Sequence, residues 1–258
     1  MEILVCIKRV PDVSEADVTV AADGRSIVTA DLEFGINEWD SFAIEEAIRL
    51  RDDHGGKVTV LSVGSDEVED ELRRALAMGA DEAVRIDDDG LDDLDALGLA
   101  KIVYASLADR PVDLILTGAV SSDTGSGQFG GLLAGLLDVP QVSLATRVTI
   151  EDGKATVQHE VEGGKERIVQ FDLPAVISVQ TGLNEPRYVS IRGIRRVSGV
   201  EIPVMPGATL VEKAGVESRV RLEALEAPPV GAKAEILEGS VDDMVGVLVD
   251  RLREKGGL

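Results

Sequence analysis

Cysteine occurs once in the 258 residues, at Cys6, and histidine twice, at His54 and His159. A single thiol cannot close an intrachain disulfide, and with two histidines it cannot build a common zinc or iron–sulfur site. Any redox chemistry therefore has to be borrowed from a bound organic cofactor. Aromatics are nearly as scarce, one Trp, two Tyr and four Phe. A large flavin-like ring would need a partner's help to be covered. Lysine is depleted too, 8 against 18 Arg, beside 25 Asp and 23 Glu, and the formal charge is −22. That charge repels polyanions and sets nucleic acid aside as a partner. The longest uninterrupted apolar run, Phe129 to Leu137, has nine residues, half of what a bilayer-spanning helix requires, so no membrane insertion is expected. No basic segment followed by an apolar stretch precedes the first strand-like run, which makes a cytoplasmic location the expectation. There is no G-K-[ST] element to grip a γ-phosphate and no G-x-S-x-G elbow, and carboxylate pairs such as Glu45-Glu46 read as solvated faces. No catalytic side chain is expected.

Short carboxylates with few lysines suit a cytosol at high salt, where the Debye length falls to roughly 3 Å near 1 M. The acidity thus reads as halophilic adaptation.

Residues 2 to 7 (EILVCI) are apolar and β-branched, a buried strand ended by the polar break before Pro11. Asp23-Gly24, between Val18–Val20 and Ser26–Val28, signals a small hairpin. Asn37 is placed to cap a helix running to about Arg51, and Ser65 a second one that closes at Gly79. Strand-like runs at 58–63, 83–86 and 112–117 alternate with these helices and with a third that leads from the acidic stretch 87–95 to about Asp109. Such alternation implies a parallel sheet covered on both faces. After residue 140 the rhythm changes to antiparallel hairpins around Asp152-Gly153 and Gly163-Gly164, and 175–179 returns to the sheet. From Pro203 onward prolines and small residues predominate until an amphipathic helix at 241–253. Having too few large apolar residues for a core of its own, this arm must lie along its own domain or along another chain. The chain divides on this reading into an α/β domain, 1–200, and an arm with its helix, 201–258.

The segment Gly118 to Gly135 (GAVSSDTGSGQFGGLLAG) lies between a buried strand and a helix, where α/β folds bind ligands. Its small residues would let backbone N–H groups and the following helix dipole approach a phosphate; the competing account is a close-packed glycine turn without ligand. Asp123 is unfavourable beside a phosphate and fits better on a ribose hydroxyl or holding the loop shut. Gly125, Gly127 and Gly130 spell G-x-G-x-x-G, but after the fourth strand-like run rather than the first, which weighs against a dinucleotide fold. Arg187, Arg192, Arg195 and Arg196 occur with no acid between Pro186 and Val200. They either pair within the chain or dock an acidic partner or cofactor phosphate.

Together VCIKRVPD (Val5 to Asp12), Asn37 with AIEEAIRL, ALAMGAD (Ala75 to Asp81), LAGLLDVPQ and LNEPRY (Leu183 to Tyr188) resemble the β subunit of electron transfer flavoproteins, over nearly the whole chain. The resemblance implies a three-layer, Rossmann-like α/β fold of the adenine-nucleotide α-hydrolase type, with an antiparallel hairpin insertion and an extended C-terminal arm. It implies pairing with a homologous α subunit, AMP in this subunit, and FAD at the interface held mostly by α. Electrons would come from flavin dehydrogenases such as acyl-CoA dehydrogenases, in fatty acid oxidation, and pass to a quinone-linked oxidoreductase. Carried over by position, AMP would contact Cys6, Asn37, Glu38, Trp39, Asp40, Val63, Asp123, Thr124, Gly125, Ser126, Gly127, Gln128, Phe129, Gly130, Gly131, Leu132, Leu133 and Ala134. Tyr188, Ile191, Arg192, Arg195 and Arg196 match the segment that docks dehydrogenases, Ile191 falling where a leucine is usual, and Glu166 matches a carboxylate that restrains the FAD domain. SSDTGSGQ departs from the more acidic, Asn-containing loop of many members, and Val13 stands where some place a tyrosine. Two alternatives stay open: an electron-bifurcating form with a second FAD in this subunit, and a lone nucleotide-binding stress-response module.

Overall fold

The first strand, β1 (Glu2–Cys6), lies inside the sheet with a neighbour on each side, and its alternation divides the core in two. Ile3 and Val5 point to one apolar cluster, Leu4 and Cys6 to the other. The structure, a computed structural model, describes residues 1–256 other than Glu15, Asp92, Asp93, Asp109, Val230, Ala232 and Lys233. Asp92 and Asp93 of the acidic stretch, and the expected helix end at Asp109, lie outside the described residues.

The strands in chain order are β1, β2 (Arg9–Pro11), β3 (Phe34–Ile36), β4 (Lys57–Val63), β5 (Glu82–Ile86), β6 (Leu114–Gly118), β7 (Gln141–Glu151), β8 (Lys154–Val161), β9 (Lys165–Asp172), β10 (Ala175–Val179) and β11 (Val204–Met205). The helices are α1 (Glu38–His54), α2 (Glu69–Met78), α3 (Ala96–Ser106), α4 (Phe129–Leu137), α5 (Ile191–Val197), α6 (Gly207–Ala214) and α7 (Val241–Glu254). Nine strands form one sheet in the order β11-β5-β4-β1-β6-β10-β7-β8-β9, and β2 pairs with β3 apart from it. From β11 to β7 the neighbours are parallel, and β8 and β9 add an antiparallel extension.

Buried on both faces, the central strands read as near-continuous apolar runs. Residues of α1 and α2, with Val197 of α5, cover one face. Residues of α3, α4 and α6 cover the other. The result is the three-layer α/β fold with a hairpin insertion that the sequence implies.

Local differences from expectation have identifiable causes. The hairpin at Asp23-Gly24 is present as a single bridge between Val20 and Ile27, and the Asp23 carboxylate closes its turn by accepting from the Arg25 and Ser26 amides. Asn37 precedes α1 but makes no side-chain cap. Ser65 caps a 3-10 turn, Asp66–Val68, that leads into α2.

The chain forms two compact units, Met1–Ala224 and Leu225–Leu258, so the first runs past residue 200. Prolines 203 and 206 bracket β11, which adds to the sheet edge at β5, and α6 packs on α3. In the second unit α7 is capped by the Ser240 hydroxyl and exposes Val241, Val245, Leu248 and Leu252 at helical spacing.

Candidate functional site

The carboxyl ends of β1, β4 and β6 converge on the start of α1 and on the loop from Ala119 to Gln128, the crevice where parallel α/β sheets take ligands. Asn37, released from capping, reaches across to that loop. Its Nδ2 donates to the Val120 carbonyl at 2.9 Å, and the Ser122 amide donates to its Oδ1 at 3.2 Å.

Asp40 ties three elements together. Its carboxylate accepts from the Lys8 amide at 2.8 Å and from the Gly118 amide at 3.0 Å. A side chain at position 118 would collide with it, since a Cβ there would lie 2.3 Å from Asp40 Oδ1 and 2.7 Å from Trp39 Cβ. Burial pushes the Asp40 carboxyl up to about 7, against the amide hydrogen bonds and the Lys8 charge that hold it down. Burial, with the Asp40 charge next, also raises the thiol of Cys6 far above its usual range.

The Lys8 ammonium lies 2.6 Å from the Asp123 carboxylate. Burial raises the Asp123 carboxyl, but hydrogen bonds from Lys8 and Ser121 and the lysine charge outweigh it and hold the group below its ordinary value. Asp123 also accepts from the Thr124 amide at 2.8 Å, and the hydroxyls of Ser121 and Thr124 are 2.9 Å apart. Holding the loop shut is therefore a geometry Asp123 has. Gly125 and Gly127 take φ of 61° and 59°, the left-handed region that glycine adopts freely, and Gly125 and Gly131 face open space.

Where the loop enters α4, Gly130 packs on the buried hydroxyl pair of Thr117 and Ser178, 2.9 Å apart. A Cβ at 130 would lie 2.2 Å from Ser178 Oγ, so only glycine lets the helix start this close to the sheet.

Of the residues expected at a nucleotide, Asn37, Asp40 and Asp123 are thus joined to one another through the loop and Lys8. Thr124, Gly125, Ser126, Gly127, Gln128 and Gly131 are exposed, as is Glu38, while Trp39, Val63, Phe129 and Leu132 are half-buried. Cys6, Gly130, Leu133 and Ala134 are buried beneath. Lys8 is the residue that sequence reasoning missed; the available signal was one of only eight lysines standing just past the end of the first strand.

A second constellation lies elsewhere. Tyr188, Ile191 and Ile194 are 89, 67 and 47% exposed, while Val197 on the same short helix is buried. Arg187 pairs with Glu45, whereas no carboxylate among the described residues lies within 4 Å of Arg192, Arg195 or Arg196. Among the described residues the arginine cluster thus divides into one internal pair and three cations without a carboxylate partner. Glu166 is exposed on the outermost strand β9, where it accepts from the Gln158 amide. The sheet order separates it from the glycine loop.

A family model described as electron transfer flavoprotein domain matches residues 25–209. The electron transfer flavoprotein subunit beta of Bacillus subtilis is 36% identical over 257 residues, covering 99% of this chain and 98% of that protein. The mitochondrial one of Oryza sativa subsp. japonica is 38% identical over 260 residues, 99% and 98% of the two chains. That of Mus musculus is 34% identical over 261 residues, 98% and 97%.

Proposed function

The chain belongs to the electron transfer flavoprotein family as a β-type subunit, and on that premise we propose that it is an electron-carrier subunit that holds AMP and works as a heterodimer with a homologous α subunit. The observation that carries the nucleotide reading is the clasp of Asn37, Asp40 and Lys8 on the glycine loop. It presents backbone N–H groups, hydroxyls and one cation beside a helix start, the donor set a phosphate needs. The loop has no P-loop lysine, so the nucleotide is bound and not turned over.

FAD, when bound at the α–β interface, supplies the redox chemistry, and this chain contributes orientation and electrostatics. With seven aromatics in all, the chain has little with which to stack a second large ring, which favours AMP over a second flavin in the crevice. Tyr188, Ile191, Arg192, Arg195 and Arg196 form the docking surface for flavin dehydrogenases such as acyl-CoA dehydrogenases, of a fatty acid oxidation route. The surface's free arginines suit an acidic rim and its isoleucines an apolar pocket. Electrons leave to a quinone-linked acceptor, Glu166 restrains the FAD domain, and the apolar stripe of α7 packs on the α subunit. Among the described residues no helix is long and apolar enough to cross a membrane, in keeping with carriage between soluble partners in the cytoplasm.

The test is to denature the purified α–β complex and chromatograph what is released. One AMP and one FAD per heterodimer is the expected result. Two FAD would replace the reading with a bifurcating form, and a β chain that purifies with nucleotide but never with α would favour a lone nucleotide-binding module.

A further inference from the structure

The strings ALAMGAD and LNEPRY, far apart in the chain, meet on one side of α1. There Arg187 makes a two-pronged bond to Glu45, Nε to Oε2 at 2.7 Å and Nη2 to Oε1 at 2.9 Å, and its own amide donates to Oε2 at 3.1 Å. The Glu45 side chain is only 8% exposed. Burial would raise its carboxyl, but the Arg187 hydrogen bonds and charge win and hold it below the ordinary value. Beside it Asn184 Nδ2 donates to the Phe42 carbonyl and to Glu46 Oε2, both at 3.0 Å. The next residues carry the exposed knuckle: Val189 and Val197 turn into the core, Ser190 caps α5 through the Gly193 amide, and α5 rests on α2 beside Ala77.

We propose that the Glu45–Arg187 clasp, with Asn184–Glu46 beside it, is a positioning device that fixes the pose in which Tyr188, Ile191 and the three free arginines meet a partner; this rests on the docking reading above. The physical reason is conformational freedom. A segment already ordered need not be ordered on binding, and a planar guanidinium held at two oxygens sets direction as well as distance. Glu45 and Arg187 act through the segment they hold. The occupant is a protein with an acidic rim around an apolar pocket, because the knuckle offers isoleucines among unpaired arginines on a chain of charge −22.

The experiment uses the intact α–β complex and reduction by an acyl-CoA dehydrogenase, with Glu45→Gln, Arg187→Lys and Ile191→Ala compared. Arg187→Lys keeps the charge on a partly exposed side chain and covers the case in which Glu45→Gln fails to fold. Both clasp variants should raise the KM for the flavoprotein about tenfold at unaltered kcat and flavin content. Amide hydrogen exchange should quicken over 188–196 and not in the glycine loop. Raised KM in Ile191→Ala with normal KM and normal exchange in the clasp variants would overturn the clasp alone. Normal KM in Ile191→Ala would overturn the docking reading itself and the clasp's role with it. A loss of thermal midpoint that accounts for the whole change in KM would also overturn the proposal, because a merely structural pair does no more than that.

Discussion

The Lys8 ammonium and the Asp123 carboxylate face each other at 2.6 Å across the mouth of the glycine loop. Among the described residues Lys8 is the cation paired with that aspartate, and it is also the cation an anionic ligand would need. A phosphate entering the loop competes with Asp123 for it. Lys8→Ala should therefore cut AMP affinity tenfold or more, because a hydrogen bond to a charged group contributes about 1.5–3 kcal/mol. Lys8→Arg should restore most of it. Titration calorimetry on nucleotide-stripped complex reads both; equal affinity in wild type and Lys8→Ala would show the phosphate is held by backbone amides alone.

Asp40 gives a pH prediction with a definite sign. Its carboxyl is raised from the ordinary 3.8 to about 7, so the folded state binds the proton more tightly than the unfolded one. The associated stability is fully present below pH 3.8 and is lost as pH rises towards 7. Asp40→Asn removes the titration, although it also replaces an acceptor of two amides. The difference in unfolding free energy between wild type and variant should then shift in the variant's favour between pH 4 and 7, by at most about 1.4 kcal/mol per pH unit, and level off above. Urea titrations at constant ionic strength measure it, and a flat difference would mean that the carboxylate is charged throughout.

Gly130→Ala places a methyl group 2.2 Å from Ser178 Oγ and 3.1 Å from Thr117 Oγ1. Overpacking of this kind costs about 1–3 kcal/mol, so the thermal midpoint should fall. Adding Ser178→Ala should recover part of the loss, and independent, additive effects of the two changes would show that the contact is not the cause.

The charge of −22 makes the fold a test of screening. The expected outcome is a thermal midpoint of the complex that climbs as KCl is raised to molar levels. A flat or falling curve would remove the halophile reading.

How far the sequence could be read depended on how local the signal was. The apolar run Phe129 to Leu137 is α4 at both ends, and Asp152-Gly153 turns β7 into β8, because in each case the residues that decide the structure are neighbours. Asn37 was legible as a residue before a helix, but the partners of its side chain are Val120 and Ser122, and no local pattern announces bonds so distant. Lys8 was hidden for the same reason. The short β11 lies between two prolines and pairs only at Val204 and Met205, which is why that stretch reads as an unattached arm. In α5 the apolar residues Ile191, Ile194 and Val197 recur every third position, but seven residues holding Gly193 and three arginines are too short a stretch to read as a helix; its helix follows from the Ser190 cap and from packing on α2.

The central position of β1 bears on how the chain can be made. Ile3 is flanked by Val58 on one side and Leu114 on the other. β1 thus leaves the ribosome before either of its flanking strands, and β10, on the far side of β6, comes later still. Until β6 has left the ribosome, β1 can be paired on one edge at most, and an unpaired apolar strand is the kind of surface that recruits chaperones or wrong partners. Sheet assembly has to wait on contacts distant in sequence, so folding should be slow and largely post-translational.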